Sequence, residues 1–304
     1  MAVESCFETL DDRFEKLFVG TARLDVLFDE CRWAEGAAYF PAGRYLVWSD
    51  IPNDRMLRYD ECSSEVAVFR QSSGHSNGNT VDRAGRLVTC EHGGRRVSRT
   101  EIDGTVVTLA DRFDGKRLNS PNDIVERSDG SLWFTDPTYG IDSDYEGHQG
   151  ESEQAGNFVY CLDPRSGALT VVADDFVQPN GIAFSRDESV LYIVDTGASH
   201  RKNGPRHIRK FEVQGEKLAD RGIFAESTNG FFDGLRLDSD GRIWTSAGDG
   251  VHCYDPDGTL IGKVKVPEVV ANVCFGGPKR NYLYICGTTS LYGVRLAVSG
   301  ARTF

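Results

Sequence analysis

The sequence has no run of eighteen or more apolar residues, so it offers no membrane-spanning helix. Its opening, MAVESCFETLDDRFEKLF, is charged throughout and lacks the apolar core of a secretion signal. A cytoplasmic location with no membrane partner is expected. Positive charge is short: 34 Lys and Arg stand against 46 Asp and Glu, a net charge of −12 over 304 residues. That balance argues against nucleic acid as a partner and suits a cation or a neutral small molecule. No CxxC pair occurs among the eight cysteines (Cys6, Cys31, Cys62, Cys90, Cys161, Cys253, Cys274 and Cys286), which argues against a zinc cluster and for buried, reduced thiols. Helical periodicity is scarce as well. Only Phe7, Leu10, Phe14 and Leu17 recur at helical spacing, which predicts a short arm or helix over residues 1–18.

What is abundant is glycine, 33 residues of it, punctuating short strand-like runs. One phrase recurs six times: a turn, an apolar run, a polar stretch and a second strand. Its openings are GRYLVWSD, GRLVTCEH, GSLWFTDP, SVLYIVDT, GRIWTSAG and NYLYICGT. Anchored on Leu46, Leu87, Leu132, Leu191, Ile243 and Leu283, the phrases are separated by 41, 45, 59, 52 and 40 residues. A repeat of this size with several strands in each unit predicts an all-β, six-bladed β-propeller over residues 19–304. A β-sandwich also spaces its strands regularly, but it does not require six matched phrases.

Ten or eleven residues before each anchor stands a carboxylate or carboxamide: Glu35, Asn77, Asn122, Asn180, Asp233 and Asn272. If this register lies where the innermost strand of each blade enters the central channel, six oxygen-bearing side chains converge on one axis. Such a set suits a hard divalent cation, and Glu35 and Asp233 roughly balance its charge. Asn-Gly and Asp-Gly are also ordinary turn dipeptides. A turn role does not account for Glu35.

At these residues the sequence resembles the senescence marker protein / gluconolactonase / luciferin-regenerating-enzyme family. The likeness covers most of residues 20–298 and is closest to the bacterial gluconolactonases through RLNSPNDIVERSDGSLWFTDPTYG, QPNGIAFSRDESVLYIVDT and DGLRLDSDGRIW. The resemblance implies a six-bladed propeller with one divalent cation near the top of the channel, held by Glu35, Asn180 and Asp233, with Asn122 beside it. It also implies hydrolysis of a sugar lactone, D-glucono-1,5-lactone above all. Calcium is the expected ion, with zinc, magnesium and manganese as alternatives. Some members carry an Arg two residues before the Asn beside the metal; here that position is Ser120, with Arg117 close by.

In a lactonase, Asp233 is expected to serve as ligand and as general base for water. Asn77, Asn122, Arg117 and His92 are the expected substrate contacts, although a lone His also suits a structural role, and Asn77 and Asn272 are equally suited to capping turns. The insertion 138–156 is too long for a hairpin loop. It reads either as a lid bringing Tyr139, His148 or Glu153 to the channel, or as a solvated acidic loop. The basic segment 199–210 reads as a solvated loop. A related propeller that cleaves organophosphates and a non-catalytic interaction platform are the competing functions. A monomer or weak homo-oligomer is expected.

Overall fold

The computed structural model describes residues 5–301. Its strands form six antiparallel sheets of four or five strands, arranged as the blades of a propeller. Blade I comprises Ala34–Phe40, Tyr45–Asp50, Arg55–Asp60 and Val66–Gln71. The innermost strands of the other blades are Ser76–Val81, Ile124–Glu126, Pro179–Phe184, Leu235–Leu237 and Val270–Gly276. Each innermost strand touches the innermost strands of both neighbours, so the six close a ring around a central channel.

The apolar runs become strands buried on both faces. Second strands such as Leu132–Asp136 and Ile243–Ala247 are buried at every position, because blades pack face to face and leave no wet side. Trp133 and Trp244, both fully buried, fill two of the spaces between blades, edge-on to Phe184 at 5.4 Å and to Phe275 at 6.1 Å. Outer strands such as Ala168–Phe176 alternate between covered and exposed positions, as an edge requires.

Of the arm or helix that its periodicity predicts, the described part of the N-terminal segment (from residue 5) forms an arm. Phe7–Thr9 is a strand that pairs with Leu260–Lys265 and extends blade V to five strands. Only a one-turn 3-10 helix, Asp12–Lys16, follows it. The edge of blade V offers a row of unpaired backbone groups, and satisfying them outweighs nucleating a short isolated helix. Phe7, Phe14 and Leu17 are nevertheless buried against blades V and VI, while Leu10 is exposed. Further on, Asp25–Phe28 pairs with Leu291–Arg295 and supplies the outermost strand of blade VI. N-terminal and C-terminal chain thus share one sheet, and the ring is closed by hydrogen bonds. Among the described residues no helix is long and apolar enough to cross a membrane.

Candidate functional site

The six residues picked out by register all lie at the start of the innermost strands. In four blades the ladder is irregular just there, with shifts between Glu35 and Ala38, Ser76 and Asn79, Pro179 and Ile182, and Val270 and Asn272. In the other two, Asn122 and Asp233 precede the regular strand. Such irregularity re-aims side chains away from the plain in-out alternation of a strand. The glycines that follow these residues do not serve turns. A Cβ on Gly36, whose φ is +59°, would lie 1.8 Å from the Asn77 carbonyl oxygen, and one on Gly181 would lie 2.0 Å from that of Asp233. Each such glycine lets a blade approach the site residue of its neighbour, so the repeated x-Gly records the closure of the ring.

The carboxyl groups of Glu35 and Asp233 come close enough that the charge of Glu35 holds back ionisation of Asp233. Glu35 is almost fully buried; its Oε2 accepts from Gly36 N at 2.7 Å and from Asn272 Nδ2 at 2.9 Å. Asn272 Oδ1 accepts from Val273 N at 2.9 Å, so this carboxamide is spent on holding Glu35. Burial pushes the Glu35 carboxyl well above its usual range, against those two hydrogen bonds, and Asp123 and Glu146 add to the rise. Burial first, then the Glu35 charge, drives Asp233 up as well. Two facing carboxyls with carboxamides around them form an all-oxygen donor set that lacks a compensating positive charge within its own hydrogen bonds. A hard divalent cation fits that need. Among the described residues no cluster of three or more His, Cys, Asp or Glu side chains is placed to hold a metal ion, so carboxamide oxygens would have to complete any such site.

The remaining carboxamides are held from behind. Asn180 Nδ2 donates to Thr196 Oγ1 at 3.5 Å. Asn77 Nδ2 and Asn122 Nδ2 lie 3.1 and 3.4 Å from His92 Nε2. His92 is fully buried, which lowers its pKa to about 3 and keeps the ring neutral. Its other nitrogen, Nδ1, stands 3.7 Å from Glu146 Oε2.

Glu146 belongs to the insertion 138–156, which does cover this end of the channel. Its carboxyl bears on Glu35, Asp233 and Tyr139 alike, and burial, with Asp142 adding, raises it to about 7. Tyr139 OH bonds to Thr196 Oγ1 and, at 3.1 Å, to Ser199 Oγ; the pair of Asp142 with His200, at 2.6 Å, ties the insertion to the basic loop. His148 packs edge-on against His75 at 5.2 Å. Glu153 turns outward and accepts from Arg117 N at 2.9 Å. Arg117 sits in a small hairpin, Arg112–Phe113 with Lys116–Arg117, and its Nη2 reaches the Gly94 carbonyl at 3.4 Å. Ser120 is buried, donating to Pro137 O at 2.6 Å and accepting from Gly140 N at 3.0 Å, so it anchors the root of the lid.

Three buried carboxylates at the ends of second strands escaped the sequence reading. Asp50 Oδ1 accepts from Arg32 N at 2.9 Å, Asp136 Oδ2 from Asn119 N at 2.8 Å, and Asp195 Oδ1 from Gln178 N at 2.9 Å. Each thereby fixes the loop that delivers Glu35, Asn122 or Asn180. Their signal was the recurring Asp that closes the phrases WSD, FTD and IVD.

Beneath the site, Arg236 Nη1 lies 3.5 Å from Asp123 Oδ2. A cavity of about 120 Å³ at the opposite mouth is lined by the far ends of all six innermost strands, among them Ala37, Val81, Phe184 and Phe275. None of the six register residues lines it.

The sequence and the fold are similar to those of known proteins. The chain is 26% identical over 313 residues to the gluconolactonase of Zymomonas mobilis subsp. mobilis, an overlap of 95% of this chain and 85% of that one. It is 31% identical over 274 residues to pentonolactonase XacC of Haloferax volcanii, covering 86% and 83%. The structure of XC5397 from Xanthomonas campestris, a gluconolactonase important in glucose secondary metabolic pathways, superposes with a TM-score of 0.89 at 37% identity over 97% of each chain. Residues 33–289 match the SMP-30/Gluconolactonase/LRE-like region, and the chain belongs to that family.

Proposed function

We propose that the chain hydrolyses a sugar lactone, D-glucono-1,5-lactone, with one divalent cation, calcium, held by Glu35, Asn180 and Asp233. The observation that carries this reading is the Glu35–Asp233 carboxyl pair, Glu35 buried and Asp233 half-buried, ringed by carboxamides at the lid end of the channel. The lactone hydrolases among its relatives supply the reaction class.

Lactone hydrolysis is acyl transfer to water. The cation, when bound, polarises the ring carbonyl and stabilises the oxyanion. Asp233 takes a proton from the attacking water as the oxygen bonds to the carbonyl carbon. The ring C–O bond then breaks, and that proton passes to the departing ring oxygen, leaving a hydroxy acid. Asn77 and Asn122 receive substrate hydroxyls. The lid, through Tyr139 and Glu146, excludes bulk water.

The test is chelation. Protein dialysed against a chelator should lose hydrolysis of D-glucono-1,5-lactone and recover it with calcium, with magnesium, manganese and zinc compared in parallel. Faster cleavage of a fluorophosphate than of the lactone, or no lactone turnover with any of these cations, overturns the proposal.

A further inference from the structure

The carboxamides of the ring share a feature beyond their register. An Asn side chain has a donor end and an acceptor end, and only one of them can face the channel. Which end does so is set by what grips the other. Asn180 is gripped by Thr196, the residue just after the second strand of its own blade, Val190–Asp195. Two blades earlier the same position, just after Leu87–Glu91, is His92. It reaches two carboxamides at once, Asn77 of its own blade and Asn122 of the next, through a single atom, Nε2.

An imidazole nitrogen that meets two amide groups must either accept from both Nδ2 atoms or donate to both Oδ1 atoms. The surroundings of Nδ1 decide between them. No hydrogen bond of full geometry reaches that nitrogen; the Glu146 carboxyl stands 3.7 Å from it, and the Glu146 backbone acts on the ring as a hydrogen-bond acceptor. A lone pair aimed at the Glu146 backbone carbonyl is repelled by it, whereas an N–H is attracted. The proton therefore sits on Nδ1, and Nε2 is the acceptor.

We infer that His92 is a positioning residue: it accepts from Asn77 and Asn122 together and so turns both carboxamide oxygens toward the channel axis, with the lid residue Glu146 fixing the ring tautomer. This rests on the lactonase reading for its consequence in turnover, but the geometry itself is independent of that reading. Gly140 is part of the same device, since a Cβ there would lie 2.4 Å from the His92 Cβ, so the lid backbone clamps the ring in place.

The experiment is NMR of the side-chain amides in protein labelled with 15N-asparagine, without and with calcium, in His92→Leu and His92→Gln. In His92→Leu the NH2 signals of Asn77 and Asn122 should lose their protection from solvent exchange, while those of Asn180 and Asn272 keep theirs. His92→Gln, which restores a carbonyl acceptor, should recover most of the protection. With the lactone, KM should rise about 10-fold or more in His92→Leu, with a smaller loss in kcat. Unchanged Asn77 and Asn122 signals in His92→Leu overturn the inference. So does an equal loss at all four asparagines, which would mark a packing role. Because the NMR readout needs no turnover, an inactive but correctly responding protein would sink the lactonase reading and leave this one standing.

Discussion

Glu35 in blade I and Asp233 in blade V bring their carboxyl groups close enough that, on top of burial, the charge of Glu35 raises the pKa of Asp233. Neither is offset by a Lys or Arg in its own hydrogen bonds. Holding two like-charged groups together out of water costs stability unless a cation joins them. The cation-free protein should therefore become more stable when one charge is removed. In chelator, Glu35→Gln should raise the melting temperature by about 2–4 °C, equivalent to on the order of 1 kcal/mol in a domain of this class. The same change should erase the stabilisation that calcium gives the unaltered protein. Calorimetry with and without calcium reads both effects, and a Glu35→Gln protein that melts lower in chelator contradicts the argument.

Asp233 and Asn180 are expected to separate in their kinetics. Asp233 is assigned both an oxygen for the cation and the base for water, so Asp233→Ala should lower kcat by about 10²–10⁴-fold, and excess calcium should not repair it. Asn180 is assigned only an oxygen. Asn180→Ala should raise the calcium concentration needed for half-maximal activity and keep most of kcat at saturation. Steady-state assays over a calcium series distinguish the two, and near-normal turnover in Asp233→Ala would end the assignment.

The ring of site residues could be read from the chain because a propeller repeats: equal position in each phrase means equal height on the axis. Six blades and Glu35, Asn77, Asn122, Asn180, Asp233 and Asn272 follow from that. What each carboxamide does could not follow, because it depends on contacts between blades. Asn272 faces the channel by register, yet it is committed to Glu35. Glu146 lies in an insertion that no other blade shares, so no register points to it. The N-terminal segment could be read only as an arm or a helix for a related reason. Phe7, Leu10, Phe14 and Leu17 have helical spacing, but the edge that recruits Phe7–Thr9 lies near residue 260, beyond the reach of any local pattern.

That arm makes its own prediction. Phe14 is fully buried, 6.0 Å from the Trp244 ring and 5.5 Å from that of Phe18, and it covers Gly262 of blade V. Phe14→Ala should destabilise the fold by about 3–5 kcal/mol, the usual cost of emptying a buried aromatic site. Denaturant melts measure it. A loss below about 1 kcal/mol would mean that the arm is peripheral to the propeller's stability.

Asp136 contributes a pH dependence to the stability that one substitution can isolate. It is fully buried at the end of a second strand, and loss of hydration raises its carboxyl from 3.8 to about 7 despite the backbone N–H groups of Asn119 and Ser120. A carboxyl whose folded pKa exceeds its unfolded one favours the fold most when protonated in both states. Its contribution is complete below about 4 and drains away as the pH climbs toward 7. Asp136→Asn keeps an oxygen for Asn119 N but cannot ionise. The melting temperature of the unaltered protein should thus fall relative to that of Asp136→Asn between pH 4 and pH 7 and run parallel to it at higher pH. Melts at fixed ionic strength, with calcium held constant, test this. Parallel curves through the whole interval would show that Asp136 does not change its charge on unfolding there, and that the loop leading to Asn122 is held by a carboxylate that stays ionised throughout.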